Sequence, residues 1–173
     1  MKAKTPKDSI AITTEIVLPN DTNVLGNLMG GRLLHLMDIT SAITCHRHCN
    51  RVVVTAAVNN VSFNQPIKLG DILTLQAKIS RSFNSSMEVF IDVWVENNST
   101  GTKVKCNEAI YTFVAVDQLG NPISVPGIIP ETEEEKARYE GALRRRQLSL
   151  ILAGKMKPEE ATELKALFIK TEN

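Results

Sequence analysis

Gly30 and Gly31 form a glycine pair, and Asp38 follows seven residues after Gly31 in the stretch GNLMGGRLLHLMDIT, residues 26–40. No other Asp, Glu, Lys or Arg stands between Arg32 and Arg47. If a helix starts at the glycines, its first amides have no partner within the helix, and the aligned peptide dipoles give that end roughly half a positive charge. With no side chains at Gly30 and Gly31, a carbonyl oxygen can approach those amides and be stabilised as an oxyanion; the plainer use of two glycines is close packing of the helix start. Asp38 would lie about two turns, roughly 10 Å, further along. A buried, unpaired carboxylate costs several kcal/mol, so Asp38 either faces solvent, meets a polar partner at an opening, or serves as an acid or base. Asn27 is open to two uses, as the N-cap of this helix or as an amide that orients a water or carbonyl. His35, one turn before Asp38, reads as a packed helix residue rather than a base.

The elements that position these residues follow from periodicity. Thr14–Leu18 reads as a short strand ended by Pro19, Asn20 and Asp21. From Gly30 to Cys49 the apolar residues, among them Leu33, Leu34, Met37, Ala42 and Cys45, cover more than one face of a helix, which predicts a largely enclosed element. Arg51–Phe63 opens with the β-branched run VVVT. A turn at Lys68–Asp71 leads to Ile72–Ser80, and Met87–Val95 repeats the alternation of period two. On Met87–Val95 the second face carries Glu88, Phe90, Asp92 and Trp94 and so needs cover of its own. SFNSS and NNSTG supply turns, giving a meander that ends in Lys103–Val116, whose apolar phase slips near Asn107 and predicts a bulge there. The plan is α+β, an antiparallel sheet wrapped around one long central helix over residues 8–120. Residues 121–173 form a proline-containing connector and a C-terminal helical extension. Thr132 and Glu135 make a capping box, Lys136–Ile151 is helical with Arg144–Arg146 near its end to oppose the dipole, and a short helix begins near Pro158.

Composition narrows the function. The chain has 173 residues, 43% hydrophobic, with 20 basic against 19 acidic residues and a formal charge of +1. Such a balance gives no footprint for a nucleic-acid binder. Cys45, Cys49, His46 and His48 lie in the run CHRHC. Cysteines four apart share a helix face without needing a metal, and a closed zinc site draws on two separated ligand pairs, so no metal is expected. The odd cysteine count, a short polar start and the lack of a long apolar run point to a cytoplasmic protein without a membrane segment.

The combined stretches TNVLGNLMGGRLLHLMD, RVVVTAAVNNVSFNQPIKLGD and SFNSSMEVFIDVWVEN resemble the hotdog-fold acyl-coenzyme A thioesterases, and the resemblance runs from Thr13 to Val116. It extends to PETEEEKARYEGALRRR, which resembles the charged helix after a proline that a subgroup of this family often has. The family's HGG appears here as MGG, with Met29 in place of the histidine, and Asn59 stands where many relatives have aspartate.

The resemblance implies a hydrolase that cleaves fatty acyl-CoA to a fatty acid and CoA without a cofactor. Asn27 would orient water or the thioester, and Asp38 would act as general base or nucleophile. The amides of Gly30 and Gly31 would form the oxyanion site. Two protomers would join their sheets edge to edge, completing active sites at the interface, and dimers would assemble as a hexamer. Leu34, Met37 and Phe63 are candidates for the acyl groove. Pantetheine would run past Ser85 and Ser86, with Arg51 or Arg81 near the CoA phosphates. Two other readings remain: a hydroxyacyl dehydratase on the same scaffold, and a non-catalytic acyl-CoA sensor whose tail docks a partner.

Overall fold

The structure, a computed structural model, describes residues 1–61, 63 and 65–169. Ser62 and Asn64 of the segment VSFNQPIKLGD, and the end of the C-terminal extension from residue 170, lie outside the described residues. The chain divides into two compact units, Met1–Ile129 and Pro130–Asn173.

In the first unit, β1 (Ala11–Ile16), β2 (Val52–Asn59), β3 (Ile72–Ser82), β4 (Ser86–Glu96) and β5 (Lys103–Val116) form one antiparallel sheet in the order β1-β3-β4-β5-β2. The sheet lies against α1 (Gly30–Cys49), which contacts all five strands. β1 begins earlier than Thr14, because Ala11 already pairs with Ala77 of β3. β2 ends at Asn59 instead of reaching Phe63; Asn60 takes φ 55°, a left-handed turn that asparagine tolerates. The expected bulge in β5 is present. Val93 pairs with Asn107 and Trp94 with Lys105, which leaves Cys106 as the extra residue.

The inward face of β4, from Met87 through Val95, and Leu73, Leu75, Ala77 and Ile79 of β3 are buried. On the other face of β4, Glu88 and Asp92 are buried by polar neighbours on adjacent strands. The Ser80 hydroxyl donates to Glu88, and Lys105 Nζ lies 2.7 Å from Asp92 Oδ1.

Leu33, Leu36, Met37, Thr40, Ser41, Thr44, Cys45, His48 and Cys49 make the buried stripe of α1, at the i, i+3, i+4 spacing of a single helix face. The expectation of a largely enclosed helix is therefore corrected for one chain. His35, Ile39 and Ile43 are exposed on the other side. Two of the buried hydroxyls are satisfied, Thr40 donating to Leu36 O within the helix at 2.8 Å and Thr44 to Ala77 O of β3 at 3.2 Å, whereas Ser41 Oγ has no partner among the described residues. Asn50, in the left-handed region at φ 52°, ends the helix, and Lys4 Nζ donates to its final carbonyls at Arg47 (2.9 Å) and His48 (2.7 Å).

In the second unit, α2 (Glu133–Leu152) starts with the expected capping box, the Thr132 hydroxyl accepting from Glu135 N–H at 3.2 Å and the Glu135 carboxylate accepting from Thr132 N–H at 3.2 Å. Its last turn carries no basic residue, so Arg144–Arg146 lie too far back to oppose the dipole. Pro158 opens a 3-10 turn before α3 (Thr162–Lys165), where Gln147 Oε1 of α2 accepts from Leu164 N–H at 2.9 Å.

Candidate active site

The loop ahead of α1 folds on Asn23. Its side-chain oxygen accepts from Leu25 N–H (2.9 Å) and Asn27 N–H (3.2 Å), and its backbone N–H donates to Asn27 O at 2.8 Å. Leu28 N–H bonds Ile67 O and Leu69 N–H bonds Gly26 O, which ties this loop to residues 67–69. The N-cap of α1 is Met29, without a side-chain cap bond, so Asn27 is not the cap. The side-chain NH2 groups of Asn23 and Asn27 bond to no described residue.

Gly30 and Gly31 are the first two residues of the helix, and their N–H groups have no partner among the described residues. The two glycines differ. A Cβ on Gly30 would sit 3.3 Å from Phe63 Cζ, so close packing accounts for that glycine. A Cβ on Gly31 would meet nothing within 4 Å, and Gly31 has no positive φ. Neither packing within the chain nor backbone conformation requires a glycine there, although glycine in a helix costs about 1 kcal/mol relative to alanine.

A cleft of about 390 Å³ opens beside this helix start, lined by Asn23, Asn27, Gly30, Leu33, Phe63 and Cys106, among others. It brings together three of the residues singled out in the sequence, Asn27, Gly30 and Phe63. Asp38 lies two turns on and outside it, half-buried, and its Oδ1 accepts a 2.7 Å hydrogen bond from the Thr55 hydroxyl. Arg32 does not serve as its counter-ion; Arg32 Nε lies 2.9 Å from Asp21 Oδ1, an ion pair by distance without hydrogen-bond geometry.

Nothing in the sequence marks Thr55, which closes the run VVVT as one more β-branched strand residue. In the register it stands opposite Phe113. Thr112 then pairs with Ala57, leaving Ala56 as an extra residue that kinks β2 beside the carboxylate.

Met37 is fully buried in the core, so it lines no acyl groove, whereas Leu34 is half-exposed. Arg81, Ser85 and Ser86 do not line the cleft. They sit at the β3–β4 hairpin, where the Arg81 guanidinium lies 5.7 Å from the Phe83 ring centroid and Ser85 O accepts from Ala115 N–H at 2.9 Å. Of the CHRHC residues, Cys45, His48 and Cys49 pack inward, with burial pushing both thiols up. Cys106 also has its thiol pushed up by burial, which keeps it protonated and a poor nucleophile at the cleft wall. Among the described residues no group of three His, Cys, Asp or Glu could hold a metal, and no helix is long and apolar enough to cross a membrane.

Residues 25–102 match the model of the Thioesterase superfamily. The chain is 39% identical over 139 residues to an uncharacterized acyl-CoA thioester hydrolase, YkhA, of Bacillus subtilis, covering 80% of this chain and 81% of that one. The crystal structure of an apo-hexameric acyl-CoA thioesterase superposes with TM-score 0.85 at 38% identity, over 88% of this chain and 98% of the other. The acyl-CoA hydrolase of Staphylococcus aureus, solved in complex with butyryl coenzyme A, coenzyme A and coenzyme A disulfide, superposes with TM-score 0.81 at 32% identity, over 96% and 99% of the two chains. That hydrolase has also been solved with an aspartate, a threonine or an asparagine replaced by alanine. A sheet curled on one helix, a glycine-started helix with free amides and relatives of this kind agree, and the chain belongs to the hotdog-fold acyl-CoA thioesterases, enzymes that hydrolyse acyl-CoA thioesters.

Proposed function

We propose that this enzyme hydrolyses fatty acyl-CoA at a composite site, in which the helix start of one protomer polarises the thioester and Asp38 activates water or attacks directly. The carrying observation is the Thr55–Asp38 hydrogen bond, a half-buried carboxylate held by a hydroxyl and ion-paired to no cation among the described residues. The spacing supports it. In the S. aureus hydrolase, the residues replaced by alanine are separated by the same intervals as Asn23, Asp38 and Thr55 here. The asparagine that faces the thioester is accordingly Asn23, whose oxygen is held by the loop and whose NH2 is left to donate. Asn27, assigned that role from the resemblance, keeps a place on the cleft wall and closes the same loop.

The chemistry needs few groups. The amides of Gly30 and Gly31 bind the developing oxyanion, and a carboxylate takes the proton of water or adds to the carbonyl. Thiolate then leaves without a strong acid, since thiol pKa values lie near ~8.5.

Asp38 lies outside the cleft of its own chain, so a second copy completes the site. β2 ends the sheet with Val52 and Val54 exposed, and Ile39 and Ile43 of α1 are exposed as well. We place the dimer at this edge and a hexamer of such dimers above it, in line with a hexameric relative. In the dimer, Arg81, Ser85 and Ser86 are assigned to CoA and Leu34 and Phe63 to the acyl chain.

The test is thiol release from acyl-CoA substrates of graded chain length, by wild type and by Asp38→Ala, Asn23→Ala and Asn27→Ala. Turnover of fatty acyl-CoA with loss in Asp38→Ala and Asn23→Ala, and a milder effect in Asn27→Ala, is expected. Full turnover by folded Asp38→Ala would exclude the carboxylate; binding of acyl-CoA without thiol release would favour the sensor.

A further inference from the structure

Tyr111 rises from the inward face of β5, 1% exposed, and its hydroxyl donates to Leu34 O at 3.0 Å. Leu34 lies one helical turn before Asp38 in the unbroken helix α1, so its carbonyl also receives the Asp38 N–H of the helix ladder. The phenol is thus one acceptor away from the backbone of Asp38. Its ring stacks on Phe113, centroids 6.2 Å apart, and Phe113 is the register partner of Thr55. Two anchors of the Asp38 turn therefore come from adjacent strands: Tyr111 of β5 reaches the Leu34 carbonyl, and Thr55 of β2, opposite Phe113, reaches the carboxylate. Burial first, and then the negative charge of Asp38, push the Tyr111 phenol up to about 12. It stays a protonated donor throughout the working range of such an enzyme.

We infer that Tyr111 is a positioning residue for the reaction, holding the Leu34–Asp38 turn of α1 at the depth where the Thr55 hydroxyl can fix the carboxylate. The inference rests on the reading of Asp38 as the reacting carboxylate. Packing alone does not explain the hydroxyl, since a phenylalanine would fill the same space and make the same stack. A buried phenol needs an acceptor, and this one takes it from the helix backbone. The one used belongs to the turn that carries Asp38.

Tyr111→Phe removes only the hydroxyl. It is expected to lower kcat five- to tenfold with KM within twofold of wild type, because substrate contacts are untouched. In an Asp38→Asn background the same change should leave the residual rate unaltered, since no carboxylate remains to be placed. A purely structural role would reduce the rate by the same factor in both backgrounds. Ile91→Val, a truncation in the buried face of β4, controls for lost stability and should leave kcat within twofold. Unchanged kcat in Tyr111→Phe, or equal losses in the two backgrounds, would overturn the inference. Full activity of Asp38→Asn would instead overturn the reading of Asp38. If Tyr111→Phe does not fold, Phe113→Leu, which loosens the ring stacked on Tyr111, takes its place in the same cycle with Asp38→Asn: equal losses in the two backgrounds reject a link between Tyr111 and the carboxylate.

Discussion

The Thr55 hydroxyl and Asp38 Oδ1 lie 2.7 Å apart, joining the last strand of the sheet to the middle of the central helix. The hydroxyl donates, and the bond leaves Oδ2 as the oxygen that the proposed mechanism gives to water or the thioester.

Replacing that hydroxyl gives the first prediction. A hydrogen bond to a charged group contributes about 1.5–3 kcal/mol, which as transition-state placement corresponds to a loss of roughly 10- to 100-fold. Thr55→Val should lose kcat in that range and Thr55→Ser should stay within about threefold of wild type, as measured by steady-state thiol release. Valine keeps the β-branched shape of Thr55 on its strand, so the change in melting temperature should be small beside the change in kcat.

The glycine pair gives the second. Gly31→Ala adds a methyl that meets nothing in its own chain and improves helix propensity, so the protein should be equally stable or gain about 0.5–1 kcal/mol. Its activity should nevertheless fall at least tenfold, because the methyl crowds the approach to the free amides. Gly30→Ala presses on the Phe63 ring at 3.3 Å and should forgo the gain in stability. A stabilised and fully active Gly31→Ala enzyme would remove the oxyanion role from the helix start.

Much of this arrangement was legible in the residues, for identifiable reasons. The span Gly30–Cys49 follows from a glycine start, a helix-length run rich in Leu, Met, Ile and Ala, and an asparagine able to turn left-handed at its end. The slip near Asn107 appears because the residues around it are large enough to reveal their phase. At Ala56 there is no such signal: small alanines on both sides of the kink read alike in either phase, and so Thr55 was hidden. Met37 was misplaced because a helix sequence gives the stripe but not which half of a broad apolar surface the sheet will cover. Composition does not separate Asn23 from Asn27: both stand in one turn-forming loop and differ in which groups the loop's own hydrogen bonds occupy.

A third prediction concerns the open edge. β2 presents Val52 and Val54, 64% and 47% exposed, on a strand with one side unpaired, a template for another strand. A lysine on such an edge opposes pairing by leaving a charge without water. Val54→Lys should therefore shift the mass measured by light scattering to smaller species and abolish turnover in the same step. Retained activity in a protein of monomer mass would show that one chain holds a complete site.

The last prediction is a dependence of stability on pH set by His48. This imidazole is fully buried at the end of α1, with Nε2 2.9 Å from Pro126 O and Nδ1 without a partner among the described residues. A carbonyl only accepts, so the neutral ring carries its proton on Nε2, and a second proton on Nδ1 would find no acceptor. Burial lowers the pKa from its ordinary 6.5; Lys4 adds to that, while the Pro126 carbonyl and Asp8 oppose it. With the folded value depressed, the unfolded chain takes up a proton first as pH falls. The stabilisation is thus fully present above about 6.5 and is lost as pH falls through the folded value. His48→Gln keeps a donor for Pro126 O but cannot titrate. Urea unfolding from pH 8 to pH 5 should show the wild type ahead by about 1–2 kcal/mol at the alkaline end, with the gap closing as acid is added. A gap that stays constant or widens toward pH 5 would mean that His48 is not the group responsible.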